Sequence, residues 1–337
     1  MPYNIILKPG GQQFTMPDHQ TVLQAALKQP GLVLPYGCRS GNCGACKAKV
    51  ISGEFSYPEG EPAAIGDRDR AENRVLLCQA RPASDLVLEV REVGAVRDQV
   101  IKTLPCRVAK LDRLAPDVIQ LDLQLPATER LDYLAGQYLT LMLRDGRQRD
   151  FSLANAPDGS DLQLHIRLNP DGEFTRYIFE ELKEKALLRL KGPLGTFFIR
   201  GESTRPILMM AGGTGFAPIK AMLESLFKTG LDRPVRFYWG CRARQDLYLH
   251  DLLESWATHY PQFSYIPVLS EPTATDRWTG RTGFVHAALA EDHPDLTGYD
   301  VYMAGPPVMI EAAKAQFEKQ GLPEQQLFYD SFESSGP

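Results

Sequence analysis

Four of the six cysteines are spaced in a way that can do chemistry. Cys38, Cys43 and Cys46 form C-x4-C-x2-C, and Cys78 follows after 31 intervening residues. This is the plant-type spacing for a [2Fe-2S] cluster held by four thiolates. Four sulfurs must reach one small cluster, so the backbone has to wrap tightly. Gly37, Gly41 and Gly44 allow conformations that side chains forbid, and they let backbone N–H groups approach sulfur. Zinc is the competing ligand, but structural zinc sites usually carry two paired knuckles, and Cys78 stands alone. A thioredoxin-like use of Cys43 and Cys46 needs a βαβ setting that this segment lacks. Cys106 and Cys241 fall outside the pattern and read as buried thiols.

A second constellation is rich in glycine. The apolar run Ile207–Ala211 leads into Gly212-Gly213-Thr214-Gly215, then Phe216-Ala217-Pro218 and a helical stretch. Glycines permit a tight turn and a close approach to a pyrophosphate, and the helix N-terminus adds unpaired N–H groups. Gly305-Pro306 follows a later strand in the same manner. Between the two constellations lies Arg149-Asp-Phe151-Ser152. Arginine can pair with phosphate, an aromatic can lie on a flat ring, and serine can hydrogen-bond a ring nitrogen. By residue type alone, an arginine and a phenylalanine on one strand are more often a surface charge and a core ring.

These groups need scaffolds. Asn4–Leu7, Gln13–Thr15, Lys47–Ile51 and Leu86–Val90 read as strands, and Thr21–Lys28 as a short helix. A polar linker is expected over Gly94–Lys102. Val118–Leu125 and Tyr138–Leu143 are the clearest strands of a mostly β region containing one helix, Thr175–Lys183. From about residue 204, strands (Ile207–Ala211, Val235–Tyr238, Val301–Ala304) alternate with helices (Ala217–Phe227, Leu247–Thr258, Val308–Lys319), the signature of βαβ units. The expectation is a multi-domain chain of α+β, antiparallel β-barrel and parallel α/β parts, over 1–93, 103–201 and 204–337.

Composition narrows the function. Hydrophobic residues make up 43% of the 337, charged residues 23%, and the formal net charge is -5. An acidic balance argues against a broad nucleic-acid surface. No apolar run reaches the roughly 20 residues of a membrane span, and the first ten residues lack signal-peptide character. A cytoplasmic protein with reduced cysteines is therefore expected.

Taken together, the motifs resemble the ferredoxin-NADP reductase superfamily in its form with an N-terminal plant-type ferredoxin domain. Tyr133-Leu-Ala-Gly-Gln-Tyr138, Phe151-Ser-Leu-Ala-Asn-Ala-Pro157 and Trp278-Thr-Gly-Arg-Thr-Gly-Phe284 carry the likeness over nearly the whole chain. It is similar above all to the iron–sulfur flavoproteins of 3,6-dideoxysugar synthesis, and also to oxygenase reductase components. The resemblance implies a β-grasp ferredoxin domain, a flavin-binding barrel and a Rossmann-like NAD(P) domain. It implies hydride transfer from NAD(P)H to FAD, then single electrons through the cluster to a terminal acceptor enzyme. That acceptor would be a sugar dehydrase or, as the alternative, an oxygenase; a stand-alone flavin or quinone reductase is a further reading. A zinc-stabilised, nucleotide-sensing module comes from a different class and leaves the flavin motifs unexplained.

The resemblance also implies residue roles. Arg149 would hold the FAD pyrophosphate, Phe151 would stack on the isoalloxazine, and Ser152 would bond near N5. His165, Arg167 and Gly172 belong to a second flavin segment, with Thr175 at a phosphate and Thr196 in a further flavin-side loop. Gly212, Gly213, Thr214, Gly215, Pro218, Gly305 and Pro306 would bind the nicotinamide nucleotide, and the tail ending at Phe332 would lie near the flavin. Two residues depart from the pattern: Phe151 stands where tyrosine is usual, and Ala304 where cysteine is frequent. Glu271 after Ser270 would repel a 2′-phosphate, so NADH is the expected coenzyme, with Arg242 and Arg244 as the residues that could reverse it to NADPH. Arg39, Lys47 and Lys49 suggest a basic rim for an acidic partner patch.

Overall fold

The computed structural model describes residues 2–159 and 161–333. The chain forms two compact units, Met1–Val100 and Ile101–Pro337.

In the first unit, β1 (Tyr3–Lys8) and β2 (Gln13–Met16) form a hairpin. Helix α1 (Val22–Ala26) follows, opened by a capping box in which Thr21 Oγ1 accepts from Gln24 N and Gln24 Oε1 accepts from Thr21 N. Then come β3 (Lys47–Ser52), β4 (Phe55–Ser56), α2 (Asp67–Ala71), β5 (Arg74–Leu76), β6 (Arg81–Pro82) and β7 (Leu86–Glu89). The main sheet runs β2-β1-β7-β3-β5, with β1 parallel to β7. Ile5, Leu7, Leu88 and the α1 residues Val22 and Ala26 close its core. This is the β-grasp arrangement. The linker expected from Gly94 starts later, because Val93 N donates to Val33 O and Val96 is buried.

The second unit begins with an antiparallel sheet. It contains β8 (Lys102–Ala115), β9 (Val118–Gln124), β10 (Tyr138–Met142), β11 (Gln148–Ser152), β12 (Leu162–Arg167) and, after α3 (Glu173–Glu180), β13 (Leu187–Leu194). The order is β11-β10-β13-β8-β9-β12, and a bridge between Leu153 and Leu164 joins the two edges into a closed barrel.

An all-parallel sheet follows: β14 (Ile207–Gly212), α4 (Phe216–Thr229), β15 (Val235–Cys241), α5 (His250–His259), β16 (Phe263–Leu269), β17 (Arg281–Thr282), α6 (Val285–Asp292), β18 (Asp300–Gly305), α7 (Pro307–Lys319) and β19 (Leu327–Ser331). Its order is β17-β16-β15-β14-β18-β19. Every residue of β14 and β18 is buried, as expected for central strands covered on both faces. The order reverses between β14 and β18, and at such a switch point a crevice opens beyond the carboxyl ends of the strands. No helix of the described residues is long and apolar enough to cross a membrane.

Candidate active site and cluster loop

The cysteine loop owes its shape to the β3–β5 ladder. Lys47 pairs with Leu76, and one step on, Leu77 N donates to Cys46 O at 3.1 Å. Cys78, distant in sequence, thereby arrives beside Cys46. At the other end of the loop, Cys43 N and Ser40 N both donate to Cys38 Sγ at 3.4 Å. Cys38 N and Ala45 N point at Cys43 Sγ, at 3.4 and 3.5 Å. Gly41 has φ +85°, and a Cβ there would stand 2.9 Å from Gln79 Cγ and 3.1 Å from Pro62 Cβ, so both conformation and space require glycine.

The thiols pair two and two. The neighbouring Cys43 thiol and Ser40 lower the Cys38 thiol below its usual value, against the opposing effect of burial. Cys46 acts likewise on Cys78, which also lies below the usual thiol value. Cys43 and Cys46, which keep the shared protons, are pushed up. Among the described residues, no three His, Cys, Asp or Glu side chains converge on a single ion. Four thiols gathered by one loop and one ladder, two of them served by backbone N–H donors, are the donor set of a [2Fe-2S] cluster. The expected basic rim is reduced, since Lys47 Nζ is held by Asp69 at 2.8 Å.

On the barrel, Arg149 and Phe151 share one face of β11 and are half-buried. Phe151 packs against the core and against Phe174 of α3, with ring centroids 5.7 Å apart. Arg149 Nη1 donates to Gln148 O, and among the described residues no carboxylate pairs with its guanidinium. Gly172 begins α3, and no side chain caps that helix. An unpaired arginine near uncapped N–H groups suits a pyrophosphate, and FAD therefore fits the residues present. Thr175 is engaged locally: its hydroxyl accepts from Asn169 N at 3.0 Å and donates to the loop carbonyls. Thr196 is buried, and its carbonyl accepts from Arg200 Nη2.

At the carboxyl edge of the parallel sheet the two glycine loops meet. A Cβ on Gly215 would lie 2.0 Å from Ala304 O, and one on Gly305 would lie 3.0 Å from Gly212 N. These glycines thus let the loops pack against each other, a demand separate from any ligand. Thr214 is half-buried, and Pro218 is buried in the first turn of α4. Phe332 N donates to Gly305 O at 2.9 Å, which seats the tail on the second loop. Ser152 Oγ donates to Asp330 Oδ2 at 2.9 Å, so the end of the flavin-side strand touches this same edge.

Arg167 and His165 also face the nucleotide part. Arg167 pairs with Asp117 at 2.8 Å and stands against Gly213, where a Cβ would be 2.6 Å from its Nη1. His165 is buried, with the Tyr248 hydroxyl 3.1 Å from Nδ1 and Nε2 unpartnered. Burial, reinforced by Lys220, lowers it to about 3, so it is neutral at physiological pH.

Three family models cover the chain in order. Residues 5–83 match a 2Fe-2S iron-sulfur cluster binding domain, 105–199 an oxidoreductase FAD-binding domain, and 209–315 an oxidoreductase NAD-binding domain. The CDP-6-deoxy-L-threo-D-glycero-4-hexulose-3-dehydrase reductase of Yersinia pestis is 41% identical over 98% of this chain and 99% of that protein. The chain belongs to the NAD(P)H-dependent iron–sulfur flavoprotein reductases. The reductase is also 37% identical to the phenol 2-monooxygenase reductase component DmpP of Pseudomonas sp. (strain CF600), over 98% and 95% of the two chains. Among solved structures it is similar to the cytochrome P450 reductase GcoB of Amycolatopsis, with TM-score 0.77 and 30% identity over 98% of both chains.

Three residues beside the candidate site carry no signal of their own in the sequence. Asp330 lies in the C-terminal tail, separated from Ser152 by 178 positions. Gln79, which donates to Arg39 O and reaches Cys78 Sγ at 3.8 Å, is an ordinary polar residue in sequence. Lys220 reads as a surface lysine on an amphipathic helix, yet it is buried.

Proposed function

We propose that the reductase takes hydride from NADH and delivers single electrons to the dehydrase of a 3,6-dideoxyhexose pathway in the cytoplasm. The observation that carries the acceptor is the 41% identity, along essentially both full chains, to a protein named as a hexulose-3-dehydrase reductase. The likeness to DmpP keeps an oxygenase as the second reading. In the proposal, 1–93 is the ferredoxin domain, 103–201 the flavin domain and 204–337 the nucleotide domain. Cytoplasmic placement is supported by six cysteines of which none is paired in a disulfide.

The flavin and cluster supply the conversion of a two-electron hydride into single electrons; the chain supplies placement and electrostatics. Cys38, Cys43, Cys46 and Cys78 hold the cluster. Arg149, with the N–H groups following Gly172 and with Thr175 at their edge, holds the flavin phosphates. Phe151 and Ser152 lie at the ring, with His165, Arg167 and Thr196 lining its side and Phe332 in the tail beside it. Gly212, Gly213, Thr214, Gly215, Pro218, Gly305 and Pro306 receive the dinucleotide.

NADH is the proposed coenzyme. Glu271 is exposed at the end of β16, its N–H donating to Arg242 O. Arg244 is drawn into the Asp276 turn, its N–H 3.3 Å from Asp276 Oδ1 and its Nη1 3.5 Å from Asp276 O. That leaves a carboxylate better placed than Arg244 for the ribose hydroxyls.

Anaerobic titration with NADH, followed by mixing with purified dehydrase or oxygenase, tests the reading. Flavin and cluster bands should both bleach, and reoxidation by the dehydrase should outpace that by the oxygenase or by free quinone. Faster reoxidation by the oxygenase would replace the acceptor, and a chain without cluster absorption would remove the proposal.

A further inference from the structure

Lys220 belongs to no motif, and its environment is unusual for a lysine. It lies on α4 two residues beyond Pro218, and only 6% of its surface is exposed. Its ammonium donates to Ala154 O at 3.0 Å, Gln163 Oε1 at 2.9 Å and Glu224 Oε1 at 2.7 Å. The first two acceptors belong to the barrel, and the third is one turn along the same helix. An ammonium has three N–H donors, and here all three are used.

The acceptors sit where the flavin-side strand ends. Ala154 is two residues beyond Ser152. Its N–H donates to Gln163 O at 2.7 Å, and Ala156 N donates to Glu224 Oε2 at 3.0 Å. Tyr133 OH donates to Asn155 O at 3.0 Å. The backbone just after Ser152 is therefore held by polar bonds on every side, two of them from α4. That helix begins at the Gly213–Gly215 turn, so one rigid element carries both the dinucleotide loop and the clamp on the flavin strand.

A buried charge is a costly way to hold two parts together, since an apolar residue would hold them as tightly. What the ammonium adds is direction. Its three bonds can all form at only one spacing of barrel and helix.

We propose that Lys220, clamped by Glu224, is a positioning residue that couples occupancy of the dinucleotide loop to the placement of the strand carrying Ser152. The proposal rests on the flavin and nucleotide assignments made above. Loop ordering by bound nucleotide is passed along α4 to Ala154 and Ala156, setting Ser152 for hydride transfer. Misplacement by about an ångström can cost on the order of a hundredfold in such a step.

Hydrogen–deuterium exchange on the full-length holoprotein, with and without NAD+, tests it. In the wild type, NAD+ should slow exchange in peptides covering 212–219 and also in those covering 153–156. In Lys220→Met the first protection should persist and the second vanish. Anaerobic flavin reduction by NADH should fall about tenfold or more, with NAD+ affinity nearly unchanged. If Lys220→Met fails to fold, Glu224→Gln, which keeps the side-chain shape, should show the same loss of coupling in smaller degree. Variants that melt earlier but retain protection at 153–156 and the wild-type rate would overturn the proposal and leave the pair merely structural. Absence of NAD+ protection at 212–219 in the wild type would overturn the nucleotide assignment itself, and the clamp with it.

Discussion

Ser152 on the barrel and Asp330 on the last strand of the parallel sheet are joined by a 2.9 Å hydrogen bond across 178 positions of sequence. The serine proposed to lie at the flavin ring is thus oriented by the nucleotide part. Hydrogen bonds to charged acceptors contribute about 1.5–3 kcal/mol. Ser152→Ala should retain bound FAD, since the phosphate contacts lie elsewhere, while flavin reduction by NADH slows by about tenfold or more. Rapid-mixing absorbance under anaerobic conditions measures this, and an unchanged rate would detach Ser152 from the hydride step.

Removing one cluster ligand should separate the two carriers. Cys78→Ser should lose the charge-transfer bands of the cluster and its electron paramagnetic resonance signal after reduction. Its flavin should still bleach with NADH, because the barrel and the parallel sheet belong to the other compact unit. The wild type should release iron and acid-labile sulfide in equal amounts. Zinc without sulfide would contradict the assignment of the four cysteines to an iron–sulfur cluster.

Coenzyme choice turns on Glu271. The wild type should show a higher kcat/KM for NADH than for NADPH. Glu271→Arg should raise kcat/KM for NADPH by about tenfold through pairing with the 2′-phosphate, a shift of about 1.4 kcal/mol. A wild type that prefers NADPH strongly would point instead to Arg242.

His165 gives a pH signature. Its folded value of about 3 lies below the ordinary 6.5, so between those limits the unfolded chain binds more protons. The contribution of the neutral ring to stability is full above pH 6.5 and is lost as pH falls toward 3. Melting temperatures should therefore drop across that window, and His165→Gln should flatten the slope. An equal slope in the variant would assign the acid sensitivity to other groups.

Much of this was legible in the sequence, for local reasons. The cysteine spacing, the glycine loops and the apolar runs of β14 and β18 are short-range signals, and the two apolar runs form buried strands as expected. Strand β16 escaped because Pro267 interrupts its pattern. The residue is tolerated because it pairs with Trp239 on one side, while β17 joins the other side only from Val268. Helix α2 and strand β5 are too short to show a period. Lys220 and Asp330 could not be found from spacing, since their partners lie across the barrel–sheet boundary and their residue types are common at surfaces. Lys47 reads as a free rim charge for the same reason, its partner Asp69 being 22 residues away.

The parallel pairing of β1 with β7 bears on how the ferredoxin part is made. Strand β7 is the last of the sheet to be synthesised, yet it sits at its centre, between β1 and β3. The three thiols of the loop therefore leave the ribosome well before their scaffold can close. Closure of the sheet behind the loop must wait until Leu86–Glu89 has emerged.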